Sequence, residues 1–81
     1  MKRHILLIED NEQNRYLTTF LLEKHGYRVT SAATGPAGVQ LARELLPDLI
    51  LLDVQLPGMD GYAVATALKA DARTSGIPIV V

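Results

Sequence analysis

Three acidic residues stand where apolar runs stop: Glu9 and Asp10 directly after Ile5-Leu6-Leu7-Ile8, and Asp53 directly after Leu49-Ile50-Leu51-Leu52. Each run is short, continuous and apolar, the pattern of a strand buried on both faces, so each acid is placed at the C-terminal end of a strand. If the two strands are neighbours, the three carboxylates meet at one edge of the sheet. Like charges gathered in this way raise one another's pKa values unless a cation sits among them, and a few hard oxygen ligands suit Mg2+, which keeps part of its water shell. A phosphoryl oxygen can replace such a water, and Asp53 is then placed as a nucleophile toward phosphorus, forming an aspartyl phosphate. Taken singly, each acid has a plainer role. Glu9 and Asp10 suit the dipole of a helix beginning near Asn11, and Asp53 suits the turn that follows its strand. Only the combination points to chemistry.

The elements that must position these acids are readable in turn. Asn11 is a helix cap, and a helix is predicted from Gln13 to Lys24, with Leu17, Phe20 and Leu21 at helical spacing and Arg15, Glu23 and Lys24 facing water. Gly26 stops it. Tyr27 to Ala32 alternates and is rich in β-formers, giving a second strand; Thr34-Gly35-Pro36 then supplies a cap and a first-turn proline. The second helix is predicted from Pro36 to Leu46, with Ala37, Leu41, Ala42 and Leu45 covering one side and Gln40, Arg43 and Glu44 on the other. Pro47 closes it. The third strand, ending at Asp53, repeats the logic of the first. The segment from Gln55 to Gly61 is dense in turn residues, Tyr62 to Ala70 reads as a third helix through Ala65 and Leu68, and Ile77 to Val81 begins a fourth strand. Strands alternating with helices mean βαβ units on a mostly parallel sheet, an α/β class whose ligand site lies beyond the carboxyl ends of the strands.

Composition removes other classes. The chain has 81 residues, 8 Lys+Arg against 9 Asp+Glu and 48% hydrophobic residues, which fits one small globular domain. The only local basic run is Lys2-Arg3-His4, so the phosphate-neutralising stripe of a nucleic-acid binder is lacking. There is no cysteine for a disulfide, a thiolate metal site or a nucleophile. Apolar runs of four residues are far short of the roughly 20 of a membrane span, and Glu9-Asp10 interrupts any leader-like segment. The expectation is a soluble, cytoplasmic protein without nucleic-acid or membrane partners. His4 and His25 are too far apart in sequence to read as a metal pair, Tyr16 and Phe20 read as packing residues four apart on a helix, and Gly35 and Gly38 read as turn residues at a helix start.

At Ile8-Glu9-Asp10-Asn11, Leu51-Leu52-Asp53-Val54 and Leu56-Pro57-Gly58-Met59-Asp60-Gly61 the chain resembles the receiver domains of two-component response regulators, in register over all 81 residues. The Asp-x-x-x-Pro-Gly-Met-Asp-Gly run is the specific part. The resemblance implies a flavodoxin-like doubly wound parallel sheet and a signalling phosphoacceptor that is not an enzyme beyond its own phosphorylation and dephosphorylation. Its partner would be a histidine kinase or histidine phosphotransfer protein, docking on the first helix. It makes Asp53 the phosphoacceptor, Asp10 a direct Mg2+ ligand, Glu9 a ligand through water, and the backbone carbonyl of Gln55 a further ligand, with Pro57 and Gly58 shaping the loop. The family more often has Asp where Glu9 stands.

Domains of this architecture usually run to about 100–150 residues. The resemblance therefore implies that residues 1–81 are the N-terminal two-thirds of a receiver domain, without the fifth strand, the last helices, the hydroxyl residue after the fourth strand and the lysine after the fifth. Neither Lys24 nor Lys69 falls at a strand end to replace that lysine. The apolar Ile77–Val81 edge and an uncovered sheet face beside the first helix lead us to expect self-association, segment swapping or completion by a partner segment. The alternative function is a receiver-like structural fragment that cannot be phosphorylated. A haloacid-dehalogenase-type phosphatase would need an acid at Gln55, a dinucleotide fold would need glycines where Glu9-Asp10-Asn11 stands, and a P-loop would need Gly-Lys-Ser/Thr.

Overall fold

The computed structural model describes residues 2–53 and 61–81. In chain order the elements are β1 (His4–Ile8), α1 (Glu12–Lys24), β2 (Arg28–Ala32), α2 (Gly35–Leu45), β3 (Leu49–Leu52), α3 (Gly61–Ala70) and β4 (Ile79–Val80). The four strands form one parallel sheet in the order β2-β1-β3-β4. β1 is central and buried along its whole length, as its unbroken apolar run requires. Its pairing with β3 sets Ile8 opposite Leu52, so the two strands end level and the acids that follow them emerge side by side.

The helices lie on both faces. Leu6, Ile8, Ile50 and Leu52 point to one side and form the main core with Val39 and Ala42 of α2, Val64 and Leu68 of α3, and Ile77. Ile5, Leu7, Leu49 and Leu51 point to the other side, over which α1 lies. That cover is partial. β3 is half-buried at Leu49 and Leu51 rather than enclosed on both faces as the sequence predicts. These two residues border an apolar groove of about 370 Å3 shared with Ile5, Leu22, Tyr27 and Pro78.

Local signals account for most boundaries. The Asn11 side chain accepts from Asn14 N–H at 2.9 Å and opens α1. At its other end Gly26 takes φ 91°, donating to Glu23 O while Tyr27 donates to Leu22 O, the double closure for which glycine is the usual residue. Thr34 caps α2 through Ala37 N–H at 3.2 Å. Leu46 ends α2 in the left-handed region, at φ 47°.

Several expectations are corrected. The inward face of α1 consists of half-buried Arg15, Thr18, Thr19 and Leu22, while Leu17, Phe20 and Leu21 are each more than half exposed and Tyr16 is 70% exposed. The cap at Asn11 and a hold on Arg15 set the helix rotation, so Arg15 does not face water and the Tyr16–Phe20 pair is not core packing. In α2 the buried residues are Gly35, Gly38, Val39 and Ala42, while Ala37 and Leu45 are exposed. Gly38 is accordingly no turn residue but the point where α2 meets Ile8 of β1. β4 is shorter than Ile77–Val81, because Ile77 N–H is turned to Thr74 O and Pro78 has no N–H to give. The link before it is braced by Asp71, which takes ion pairs from Arg43 and Arg73 at 2.9 Å each; Arg73 in particular holds the Asp71 carboxyl down at about 2.

His4 is a buried polar residue at the start of β1. Its Nε2 lies 2.8 Å from Thr30 Oγ1 and its Nδ1 3.3 Å from Arg28 Nη2. A guanidinium only donates, so Nδ1 accepts and the proton resides on Nε2. Burial lowers the imidazole pKa from its ordinary 6.5, Arg28 adds to the lowering, and Asp48 opposes it. The unfolded chain therefore takes up the proton first. The stability tied to neutral His4 is present above about pH 6.5 and is lost as the pH falls through the folded value. Thermal melting between pH 7.5 and 5 should show this loss, and His4→Gln should flatten it; an unchanged slope in His4→Gln would assign it to other groups.

Candidate functional site

The topology reverses between β1 and β3, since the chain leaves β1 toward β2 on one side and returns to β3 on the other. Ligands of open α/β sheets bind at such a point, beyond the carboxyl ends of the strands. Glu9 and Asp53 stand there, each tied to a neighbouring strand by its own main chain: Glu9 N–H donates to Ala32 O and Asp53 N–H to Ile8 O, both at 3.0 Å. Three carboxylate oxygens, one each from Glu9, Asp10 and Asp53, lie within 4.8 Å of one another. The structure thus brings together the three acids selected in the sequence. Gln55, Pro57 and Gly58 lie outside the described residues.

The electrostatics follow from this crowding. Glu9 is half-buried; desolvation and its hydrogen bond with Asp53 push its carboxyl above the ordinary value, and the Asp53 charge adds to the rise, while the bond from Asn11 N–H at 3.3 Å opposes it. Burial and the neighbouring Asp53 thus favour a proton on Glu9, which a divalent cation can replace. The donor set is oxygen throughout, the preference of Mg2+ and Ca2+ rather than of softer metals. A cleft of about 410 Å3 opens beside Glu9 and Asp53, floored by Leu7 and Leu51 and rimmed by Asn14, Thr18 and Val80. It offers room for a small oxyanion next to the carboxylates.

One residue at the site escaped the sequence reading. Arg15 reaches back from the first turns of α1, its Nη1 donating to Glu9 O at 3.0 Å and, more weakly, to Asp10 O at 3.4 Å. The signal was the i, i+3, i+4, i+7 set formed by residues 15, 18, 19 and 22, which a polar residue at its head concealed.

Fold and site together define a flavodoxin-like, doubly wound α/β module with a carboxylate cluster at its switch point. The family model for the response regulator receiver domain matches residues 5–81, and the chain belongs to that family. It is 42% identical over 77 residues to the protein PilH of Pseudomonas aeruginosa, covering 95% of this chain and 64% of PilH. It is 44% identical over 80 residues to the response regulator PleD of Caulobacter vibrioides, covering 99% of this chain and 18% of PleD. The chain thus spans less than two-thirds of the length of these relatives. Among solved structures it superimposes on the receiver domain of the sensor histidine kinase PA1611 from Pseudomonas aeruginosa, with a TM-score of 0.92 and 37% identity over 98% of this chain and 65% of that one. That structure has a magnesium ion coordinated in its active-site cleft. Receiver domains are signalling modules. No helix among the described residues is long and apolar enough to cross a membrane.

Proposed function

We propose that residues 1–81 act as the phosphoacceptor unit of a cytoplasmic two-component or phosphorelay protein, receiving a phosphoryl group from a histidine kinase or histidine phosphotransfer protein onto Asp53. The observation that carries this reading is the convergence of Glu9, Asp10 and Asp53 within 4.8 Å at the ends of adjacent strands. In the transfer, an Asp53 carboxylate oxygen attacks phosphorus in line with the departing imidazole nitrogen of the phosphohistidine. The O–P bond forms as the N–P bond breaks, and the histidine leaves as the neutral imidazole after taking a proton. Water later cleaves the acyl phosphate, returning Asp53 and inorganic phosphate; this turnover is the only reaction we assign to the chain.

Asp10 and Asp53 would hold Mg2+ directly, Glu9 through water and Gln55 through its backbone carbonyl. The magnesium ion of the PA1611 receiver domain supports this assignment. When bound, the ion supplies charge neutralisation for the phosphoryl oxygens. The protein's own part is to hold Asp53 by its N–H to Ile8 O, to set its carboxylate at the cleft, and to line that cleft with Leu7 and Leu51. The exposed Tyr16, Leu17, Phe20 and Leu21 of α1 provide an apolar face beside the cleft for the phosphodonor protein.

Intact-mass measurement after exposure to a small-molecule phosphodonor tests the reading. A gain of one phosphoryl group is expected with Mg2+ and not without it, and the absence of any gain by the folded protein would defeat the proposal. Self-association across the groove of Leu49 and Leu51 belongs to the same reading; a light-scattering mass of one chain at micromolar concentration would remove that part alone.

A further inference from the structure

The acidic loop between β1 and α1 is held at successive peptide groups. Its first, at Glu9 N–H, is bonded to Ala32 O of β2 at 3.0 Å. The next two present their oxygens, Glu9 O and Asp10 O, to a single donor, Arg15 Nη1, at 3.0 and 3.4 Å. The Asn11 N–H is turned back to Glu9 Oε2 at 3.3 Å, and Arg15's own N–H closes the first helical turn on Asn11 O at 2.9 Å. Arg15 is half-buried on the inward face of α1, and its Nη1 donates to main-chain oxygens of two residues whose carboxylates belong to the cluster.

We propose that Arg15 is a positioning residue of the cation site. By clamping the carbonyls of Glu9 and Asp10 it fixes the peptide planes from which both carboxylates project, so that they converge with Asp53. The inference rests on the phosphoacceptor reading and deepens it. The physical reason is rotational. With both carbonyl oxygens bound, the main chain on either side of Asp10 cannot turn without breaking a charge-assisted hydrogen bond, and the Asp10 carboxylate keeps its direction at little cost on binding. Without the clamp those carbonyls are free to turn to water, and the cation must order the loop itself.

This role can be separated from a purely electrostatic one by sign. A positive charge close to a cation site repels the ion, so removing a guanidinium that acted only by its charge would tighten Mg2+ binding. Removing a clamp weakens it; partners that orient metal ligands typically account for about 10–100-fold in affinity. The test is Mg2+ titration of the purified protein by calorimetry, followed in parallel by the amide shifts of Glu9, Asp10 and Asn11, for the natural chain, Arg15→Ala and Arg15→Lys. We expect about 10-fold weaker binding in Arg15→Ala. A smaller loss is expected in Arg15→Lys, which keeps the charge but replaces the rigid, planar guanidinium with a flexible ammonium.

Melting in Mg2+-free buffer reports folding separately, and Arg15→Lys remains informative if Arg15→Ala fails to fold. Equal or tighter Mg2+ binding in the folded variants, with unmoved loop amides, overturns the inference and leaves the phosphoacceptor reading intact. Failure of the natural chain to bind Mg2+ overturns that reading and the inference with it.

Discussion

Asp53→Asn should stay at its unmodified mass under phosphodonor and Mg2+ conditions in which the natural chain gains one phosphoryl group. The substitution keeps the size and shape of the side chain and leaves the main-chain bond from residue 53 to Ile8 O in place, so the fold has no reason to fail. What it removes is the carboxylate lone pair that attacks phosphorus, and an amide is no substitute nucleophile at neutral pH. The loss should be complete rather than partial, because neither Glu9 nor Asp10 sits directly at the end of β3 in the place of Asp53.

A second consequence separates chemistry from structure. Part of the raised Glu9 pKa comes from its hydrogen bond with Asp53 and from the Asp53 charge, so it should fall back toward the ordinary value in Asp53→Asn. A raised carboxyl pKa means that the folded state holds a proton the unfolded state releases. The stability tied to that proton is present below about pH 4.5 and is lost as the pH rises through the folded value. Asp53→Asn should therefore melt at least as high as the natural chain at pH 7 in the absence of divalent ions. Phosphoryl uptake by Asp53→Asn would move the acceptor to another residue, whereas a lowered melting temperature would show that Asp53 is needed for the fold.

Gly38→Ala should destabilise the protein although alanine is the better helix former. A Cβ at position 38 would run into Ile8 Cδ1 and stand 2.6 Å from its Cγ1 and 3.2 Å from its Cγ2. Ile8 is fully buried and β-branched, clamped between Leu6, Leu52 and the helices, so it has few rotamers into which to retreat. Overpacking of this kind costs about 1–3 kcal/mol, against a helix-propensity gain of about 1 kcal/mol, and the net loss should reach up to about 2 kcal/mol in urea unfolding.

The partner is testable. Ile8→Val deletes the nearest clashing atom and by itself costs about 0.5–1.5 kcal/mol. The double variant Gly38→Ala/Ile8→Val should lose less than the two single losses added together, and strict additivity would mean that Gly38 does not make room for Ile8. The contact bears on function because Ile8 directly precedes Glu9: an α2 pushed off β1 displaces the end of the strand from which the acidic loop departs. We expect the single Gly38→Ala variant to bind Mg2+ more weakly as well, and the double variant to recover part of that loss.

Much of this molecule is local in origin. The strand runs at Ile5–Ile8 and Leu49–Leu52, the caps at Asn11 and Thr34, the glycine that ends α1 and the acids at the strand ends are each properties of a few consecutive residues. Side-chain period, cap chemistry and backbone freedom act over one or two turns of chain, so the amino-acid sequence by itself determined the order of the elements and the identity of Glu9, Asp10 and Asp53 as the groups to watch.

What the tertiary structure alone decided involves residues far apart along the chain. The pairing of β1 with β3, with Ile8 level with Leu52, is what converts two separate strand-end signals into carboxylate oxygens within 4.8 Å. Hydropathy placed Arg15 in water because its charge was counted and its acceptors were not. Those acceptors are main-chain oxygens, present at every residue and therefore invisible to residue type. The same holds for Gly38, whose value lies in the absent Cβ opposite Ile8, and for α1, where one inward arginine turned Leu17, Phe20 and Leu21 outward. Which face an element buries depends on the surface it meets, and that surface exists only once the sheet has assembled.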